Sequence, residues 1–441
     1  MAEHEPTPSR AIAVEPRGPV FISYRHSDAR ALAESLAWAL RAAGVPVWHD
    51  VTDLPPGDTD RRLGEALASG LSGAVVIVTP EIGQSQVIRD LELPRLLDLE
   101  QESNFTLAVG STVEAGGSAG SLDYSAPDRL LGQPPGTLQR LNQRRVARVE
   151  ERAELANALA RQRLARLRTE IENAGGVLVV DIQTRVPPVA TAQDGDLVLR
   201  LRPPVDGERR PHRGGLEDLH RFLGELPLLI ATAGAHAVRV RGGAHLSVAC
   251  AIGAALPTTL VGTVEVVDTA GHTWVLPGQA PSPTGERLCE AVTPGGYNYG
   301  RGPVLAFIDL LPQQSDAAFD AMLRSGRPAF AGVLHLRPRT AGLLNPGDAE
   351  MLVGELNAEI RALANTHRTT EVHLLLRCPY SVAVLLGRTL NTLTINLYEW
   401  EDTPDGDSGP NPRYVPSIVL RSGSGGSPID RITAPPLSCR S

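Results

Sequence analysis

Two separate stretches of the chain follow one pattern, S-V-A-x-x-[IL]-G-x-x-L: Ser247 to Leu256 and Ser381 to Leu390. Each copy comes after an apolar segment suited to a strand (Ala237–Arg241; Val372–Arg377) and before another (Val264–Val267; Thr394–Tyr398). Further upstream, Val179-Val180-Asp181-Ile182 pairs with Phe307-Ile308-Asp309-Leu310, and Leu199-Arg200-Leu201-Arg202-Pro203 pairs with Leu334-His335-Leu336-Arg337-Pro338. A helical stretch lies between in both (Leu216–Ile230; Ala349–Ala364). Matched elements in one order mark a duplicated supersecondary unit that buries its core against its twin. The pattern predicts two fused Rossmann-like α/β units with a pseudo-twofold axis over 175–425, the repeats being about 175–285 and 300–420.

The N-terminal part is also α/β in pattern. Val20–Tyr24 reads as a short buried strand, with Asp28 placed to cap the helix that runs to about Ala43. Leu32, Leu36 and Leu40 form one face of that helix. Val45–Trp48 is a second strand, and Thr52–Asp58, holding Pro55-Pro56-Gly57, is a loop. Arg61–Ser69 and Ser85–Leu97 are expected helices. Ala74–Val78 is a continuous apolar run suited to a strand buried on both faces, and Phe105–Val109 is a further strand. This predicts a domain over 19–135, a polar tail over 1–18 and a connecting amphipathic helix within 136–174, built on Leu138–Ile171. A second tail is expected over 426–441.

Composition narrows the chemistry. The chain has 441 residues and a net charge of −8, which opposes binding to duplex DNA or to an anionic membrane. All 42 basic residues are arginine, because lysine does not occur. P-loop nucleotide hydrolysis of the usual type and lysine Schiff-base chemistry are thereby excluded. No apolar run reaches the roughly 18 residues of a membrane span, and the start lacks the pattern of a secretory signal. The four cysteines are scattered, without metal-ligand spacing. A reduced, cytoplasmic protein without a metal site is expected.

The segment Phe21-Ile22-Ser23-Tyr24-Arg25-His26-Ser27-Asp28 resembles the opening of the TIR family. The resemblance continues through Gly44–Asp50, the Asp53-Leu54-Pro55-Pro56-Gly57-Asp58 loop, Val75–Pro80 and Ser85–Leu93. It implies a flavodoxin-like parallel sheet and cleavage of NAD, with Glu92 as the catalytic carboxylate. Glu81 and Asp90 lie nearby in sequence. Ile88 stands where the family often has tryptophan, so Tyr24 or Trp48 is the expected aromatic wall. Arg25, Asp50, Asp53 and Ser85 complete the expected substrate contacts, Arg25 at the pyrophosphate. One carboxylate suffices for this chemistry. Nicotinamide is a cationic leaving group that needs no acid, and the carboxylate stabilises the oxocarbenium-like state.

The repeated helices, with Ile395–Trp400 and Tyr414-Val415-Pro416 after them, resemble the SAVED family, built from two CARF-like Rossmann units. The resemblance implies a cyclic oligonucleotide ligand, of the cyclic tri-adenylate type. Ligands of Rossmann-like units sit at the carboxyl ends of strands, where helix N-termini present N–H groups. The expected contacts are Gly242, Gly243, His245 and Ser247 in the first repeat, and Pro379, Tyr380, Ser381 and Arg388 in the second. Asp181 and Asp309 would share that rim, Ser247 and Ser381 are also suited to capping their helices, and Trp274 and Trp400 are expected core residues. The fusion as a whole implies an anti-phage effector. The cyclic oligonucleotide activates it by driving head-to-tail self-association; NAD is its substrate and no cofactor is needed. Two other readings of the TIR half are a non-catalytic assembly scaffold and a cyclase making cyclic ADP-ribose.

Overall fold

The computed structural model describes residues 14–48, 70–116, 120–185, 195–204, 209–278, 286–292, 300–313, 315–326, 328–340, 342, 344–402, 411–421 and 426–434. The chain forms two compact units: residues 1–169 with 189–199, and residues 170–188 with 200–441.

In the first unit, strands β1 (Val20–Ser23), β2 (Val47–Trp48), β3 (Gly73–Val78), β4 (Thr106–Ser111) and β5 (Asn142–Arg145) make one parallel sheet. Their order is β2-β1-β3-β4-β5, the flavodoxin-like arrangement. Helices α1 (His26–Ala42), α2 (Leu93–Glu100), α3 (Ala126–Leu131) and α4 (Val149–Asn173) accompany it. β3 is buried at every position, as its unbroken apolar run requires. Phe21, Val76, Ile88, Leu96 and Leu138 belong to one core.

Three expectations change here. The helix expected from Leu138 begins at Val149, because Asn142–Arg145 pairs with β4 instead. Leu138 enters the core, and Val146 and Leu155 pack beneath Gly110, where a Cβ would stand 2.9 Å from Val146. As a connecting helix with one apolar face should, α4 packs on the domain. Its Leu155, Leu159, Leu164 and Leu167 are buried, and its Arg163 is 5% exposed. That guanidinium donates to the carbonyls of Arg17, Gly18 and Asp196, and burial pulls its pKa down to about 10. Residues 14–18, expected in the tail, are anchored: Val14 bridges Leu71, and the Glu15 N–H donates to the Leu71 carbonyl. Finally, Asp28 lies in the first turn of α1, while Arg25 occupies the cap position. The expected helix Arg61–Ser69 and the loop Thr52–Asp58 lie outside the described residues.

The second unit contains the repeat. Its first half comprises β6 (Val177–Gln183), β7 (Leu197–Arg200, which crosses the border of the two units), α5 (Arg213–Ala233), β8 (Ala237–Gly243), α6 (Leu246–Ala254), β9 (Thr263–Val267) and β10 (Thr273–Leu276). After β11 (Cys289–Ala291) the second half repeats the plan. It runs β12 (Val304–Asp309), α7 (Ala317–Ser325), β13 (Gly332–Pro338), α8 (Ala349–Thr366), β14 (Glu371–Arg377), α9 (Tyr380–Thr389) and β15 (Thr394–Asp402). β16 (Pro412–Arg421) and β17 (Ile429–Ile432) extend the second sheet by antiparallel pairing, so part of the expected C-terminal tail is a strand. The sheets contain β9-β8-β6-β7 and β15-β14-β12-β13, the same order twice.

The repeated motif lies where the halves meet. A Cβ on Gly253 of α6 would stand 1.8 Å from the Val384 carbonyl oxygen of α9. One on Gly387 would stand 2.1 Å from the Cys250 carbonyl oxygen of α6. The two helices touch backbone to backbone, and the motif's glycine permits it.

Candidate functional site

Ser23 ends β1, and Glu92 ends a single π-helical turn over Ile88–Glu92 that leads into α2. The Ser23 hydroxyl donates to Glu92 Oε2 at 2.6 Å, with the serine 1% and the glutamate 6% exposed. In a sheet of this order the switch point falls between β1 and β3, at the carboxyl ends of the strands. Ser23 occupies that end of β1. The π turn sends Ile88 into the core, a geometry frequent where a helix must aim a functional side chain. Glu81 and Asp90, the neighbouring carboxylates, are exposed. Burial therefore separates Glu92 from both.

The other expected contacts are sorted differently. Tyr24 is buried beside Ser23 and stacks on His26 at 4.7 Å. Trp48 is a core ring against Phe21, at 5.5 Å, which corrects its expected place in a substrate wall. Arg25, expected at a pyrophosphate, is engaged by Glu81 at 3.0 Å, Asp28 at 3.2 Å and Gln84 at 2.8 Å. The Ser85 hydroxyl accepts the Ile88 N–H at 3.4 Å, at the start of the π turn. Asp50 and Asp53 lie outside the described residues.

The second unit holds a cavity of about 660 Å³, within the range of small-ligand sites. Arg185, Arg209, Arg377, His245, Glu399 and Trp400 line it. The Arg209 guanidinium lies over the Trp400 ring, 4.8 Å from its centroid. Arg377 is held by Asp309 at 2.5 Å, so the rim carboxylate expected beside the ligand serves to orient an arginine. Asp181 does the same for Arg200 and Arg241, at 2.8 and 3.1 Å. Glu399 accepts the Ser247 N–H at 2.8 Å, and burial pushes its pKa up. The Thr184 hydroxyl accepts the His245 N–H at 3.0 Å and lies 2.8 Å from His245 Nδ1, while the ring also hydrogen-bonds the Arg209 backbone.

Of the eight expected ligand contacts, His245 is the one that lines this cavity. The others do not line it, and each has its own place in the packing. Gly242, at φ +103°, brings β8 against Ile182, where a Cβ would meet the carbonyl oxygen at 2.1 Å. Gly243 is the last residue of β8, paired with Gln183. Ser247 is fully buried, with its hydroxyl 2.9 Å from that of Ser417. Pro379 holds the cap position of α9, Ser381 is fully buried, and burial raises the pKa of Tyr380. No side-chain cap bond is made by Ser247 or Ser381, since His245 and Pro379 take the cap positions. Arg388 is 3% exposed and donates to the carbonyls of Val261 and Gly262, so it braces a loop. Trp274 is a core residue, its Nε1 on Asp268, whereas Trp400 belongs to the cavity wall. Arg185, Arg209, Arg377, Glu399 and Tyr414 were missed. The signal available for them was the aromatic-acidic run at Tyr398–Trp400 and the paired arginines Arg209-Arg210.

No described helix is long and apolar enough to cross a membrane. Residues 20–109 match the profile of the TIR domain family. Residues 226–420 match that of SAVED, the SMODS-associated and fused to various effectors sensor domain. Among curated proteins, the NAD(+) hydrolase PdTIR of Paracoccus denitrificans is 40% identical over 75 residues, which is 17% of this chain and 25% of that protein. The chain thus matches a quarter of that relative's length. Among solved structures, the Acinetobacter baumannii Cap4 SAVED/CARF-domain containing receptor with the cyclic trinucleotide 3′3′3′-cAAA aligns at 12% identity. That alignment covers 88% of this chain and 97% of the receptor, with a TM-score of 0.45. The Moraxella osloensis Cap4 receptor aligns at 13% identity over 89% and 98%, with a TM-score of 0.40. By the two family matches, the chain carries a TIR domain at residues 20–109 and a SAVED domain at residues 226–420.

Proposed function

We propose that the chain is an anti-phage effector in which a cyclic oligonucleotide bound by the SAVED domain switches on cleavage of NAD by the TIR domain. The observation that carries the enzymatic half is the buried Glu92 carboxylate, fixed by Ser23 at 2.6 Å where a flavodoxin-like sheet binds ligands. A buried carboxylate suits a reaction whose transition state gains positive charge. The bond between ribose C1′ and nicotinamide nitrogen breaks, and nicotinamide leaves neutral with the electron pair. Water then adds to the oxocarbenium carbon and loses a proton, which yields ADP-ribose. The likeness to PdTIR supports NAD as the substrate.

For the sensor half, the support is the SAVED match together with the chemistry of the cavity. Three arginines suit phosphates, and the Trp400 ring suits the face of a base. Ligand binding bridges SAVED domains head to tail, and TIR domains brought together by it complete one another's sites. Repetition of such a heterologous contact gives an open filament. The test is nicotinamide release from NAD with and without a panel of cyclic di-, tri- and tetranucleotides. Release is expected only with an activating ring, and Glu92→Gln is expected to lower it by about a hundredfold or more. Undiminished release by that variant refutes the role of Glu92.

A further inference from the structure

One group in the cavity wall has the wrong sign for an anionic ligand. Arg185, Arg209 and Arg377 suit phosphates, yet Glu399 is set among them, 6% exposed. The sheet places it there firmly: β15 is flanked by β14 and β16, and the Glu399 Oε1 is held by the Ser247 N–H at 2.8 Å. Among the described residues Ser247 is its hydrogen-bond partner, and the side chain lines the cavity. The adjoining Trp400 offers a flat ring under the Arg209 guanidinium.

We propose that Glu399 selects the nucleobase, accepting a hydrogen bond from an exocyclic amine such as N6 of adenine while the base stacks at Trp400. This rests on the reading of the cavity as the cyclic oligonucleotide site. The phosphates of such a ligand belong with the arginines, so a carboxylate is tolerated only opposite the ligand's donors. On a nucleotide the amine edge of the base is the donor-rich part. Uracil presents a carbonyl oxygen at the corresponding position, and two acceptors face to face leave both unsatisfied. The preference belongs to the ionised carboxylate: with its carbonyl oxygen on the Ser247 N–H, a protonated carboxyl presents its O–H to the cavity and donates there.

The experiment is direct binding of cyclic tri-adenylate and cyclic tri-uridylate to the full-length protein, by titration calorimetry. The natural protein is expected to favour the adenylate ring by about tenfold or more. In Glu399→Gln the amide oxygen stays on the Ser247 N–H, which needs an acceptor, so the amide NH₂ turns to the cavity. The adenylate preference is then expected to vanish or reverse. A folded variant that keeps the original ratio overturns the proposal while leaving the cavity reading intact. Binding of neither ring by the natural protein overturns both. A check that needs no variant is cyclic tri-inosinate, in which a carbonyl replaces each amine; binding equal to tri-adenylate also overturns the proposal.

Discussion

His245 is 1% exposed, and burial holds its pKa down to about 3, whereas the free imidazole titrates near 6.5. The unfolded chain therefore binds a proton between these values that the folded chain refuses. By linkage, stability is full above about pH 6.5 and falls as pH drops toward 3. At pH 4.5 the loss from this one group is about 2–3 kcal/mol. Denaturant titrations across pH 4–7 are expected to show it, and His245→Asn is expected to flatten the slope; an unchanged slope would remove His245 as its source. Glu92 illustrates how a candidate site residue becomes legible in a sequence. A local motif names it, and the fold buries its carboxylate beside Ser23. Arg388 illustrates the reverse. An arginine on a motif helix looks like a ligand contact, but its side chain runs to the carbonyls of Val261 and Gly262, far away in sequence.

The same contrast holds for whole elements. The duplicated strands and helices were readable because their order recurs, and each occupies the expected place in its sheet. The long helix from Leu138 was misread because leucines at helical spacing also suit a turn and an edge strand. Only pairing of Asn142–Arg145 with β4 decides between them. The cavity was only partly legible for a related reason. Expectation placed ligands at two helix N-termini, whereas the wall is also built from β15, β16 and the segment around Arg209. The α6–α9 crossing gives a test at this scale. Alanine at Gly253 or Gly387 inserts a methyl group against a backbone carbonyl that no rotamer can move. Each substitution is expected to cost ~3 kcal/mol in chemical denaturation. Alanine at the exposed turn residue Gly271, at φ +85° with open space around it, is expected to cost only about 1 kcal/mol.

At the scale of the molecule, the proposed activation makes catalysis depend on assembly. Sedimentation velocity is expected to show a small species without ligand and long, polydisperse species with the activating ring. NAD cleavage is expected to rise with protein concentration more steeply than linearly. Full activity in a liganded monomer would refute this coupling. The reciprocal glycine contact carries a separate consequence. Gly253 meets α9 as Gly387 meets α6, which is the geometry of two identical subunits joined about a dyad. The second unit is thus a homodimer written into one polypeptide. Covalent fusion releases its halves from having to stay identical. Counted along the matched strands from Thr263 and Thr394, Glu399 corresponds to Asp268, which holds the Trp274 indole instead of facing the cavity. A true dimer would be obliged to offer the same group twice. The fused chain can receive a ligand that has no dyad of its own.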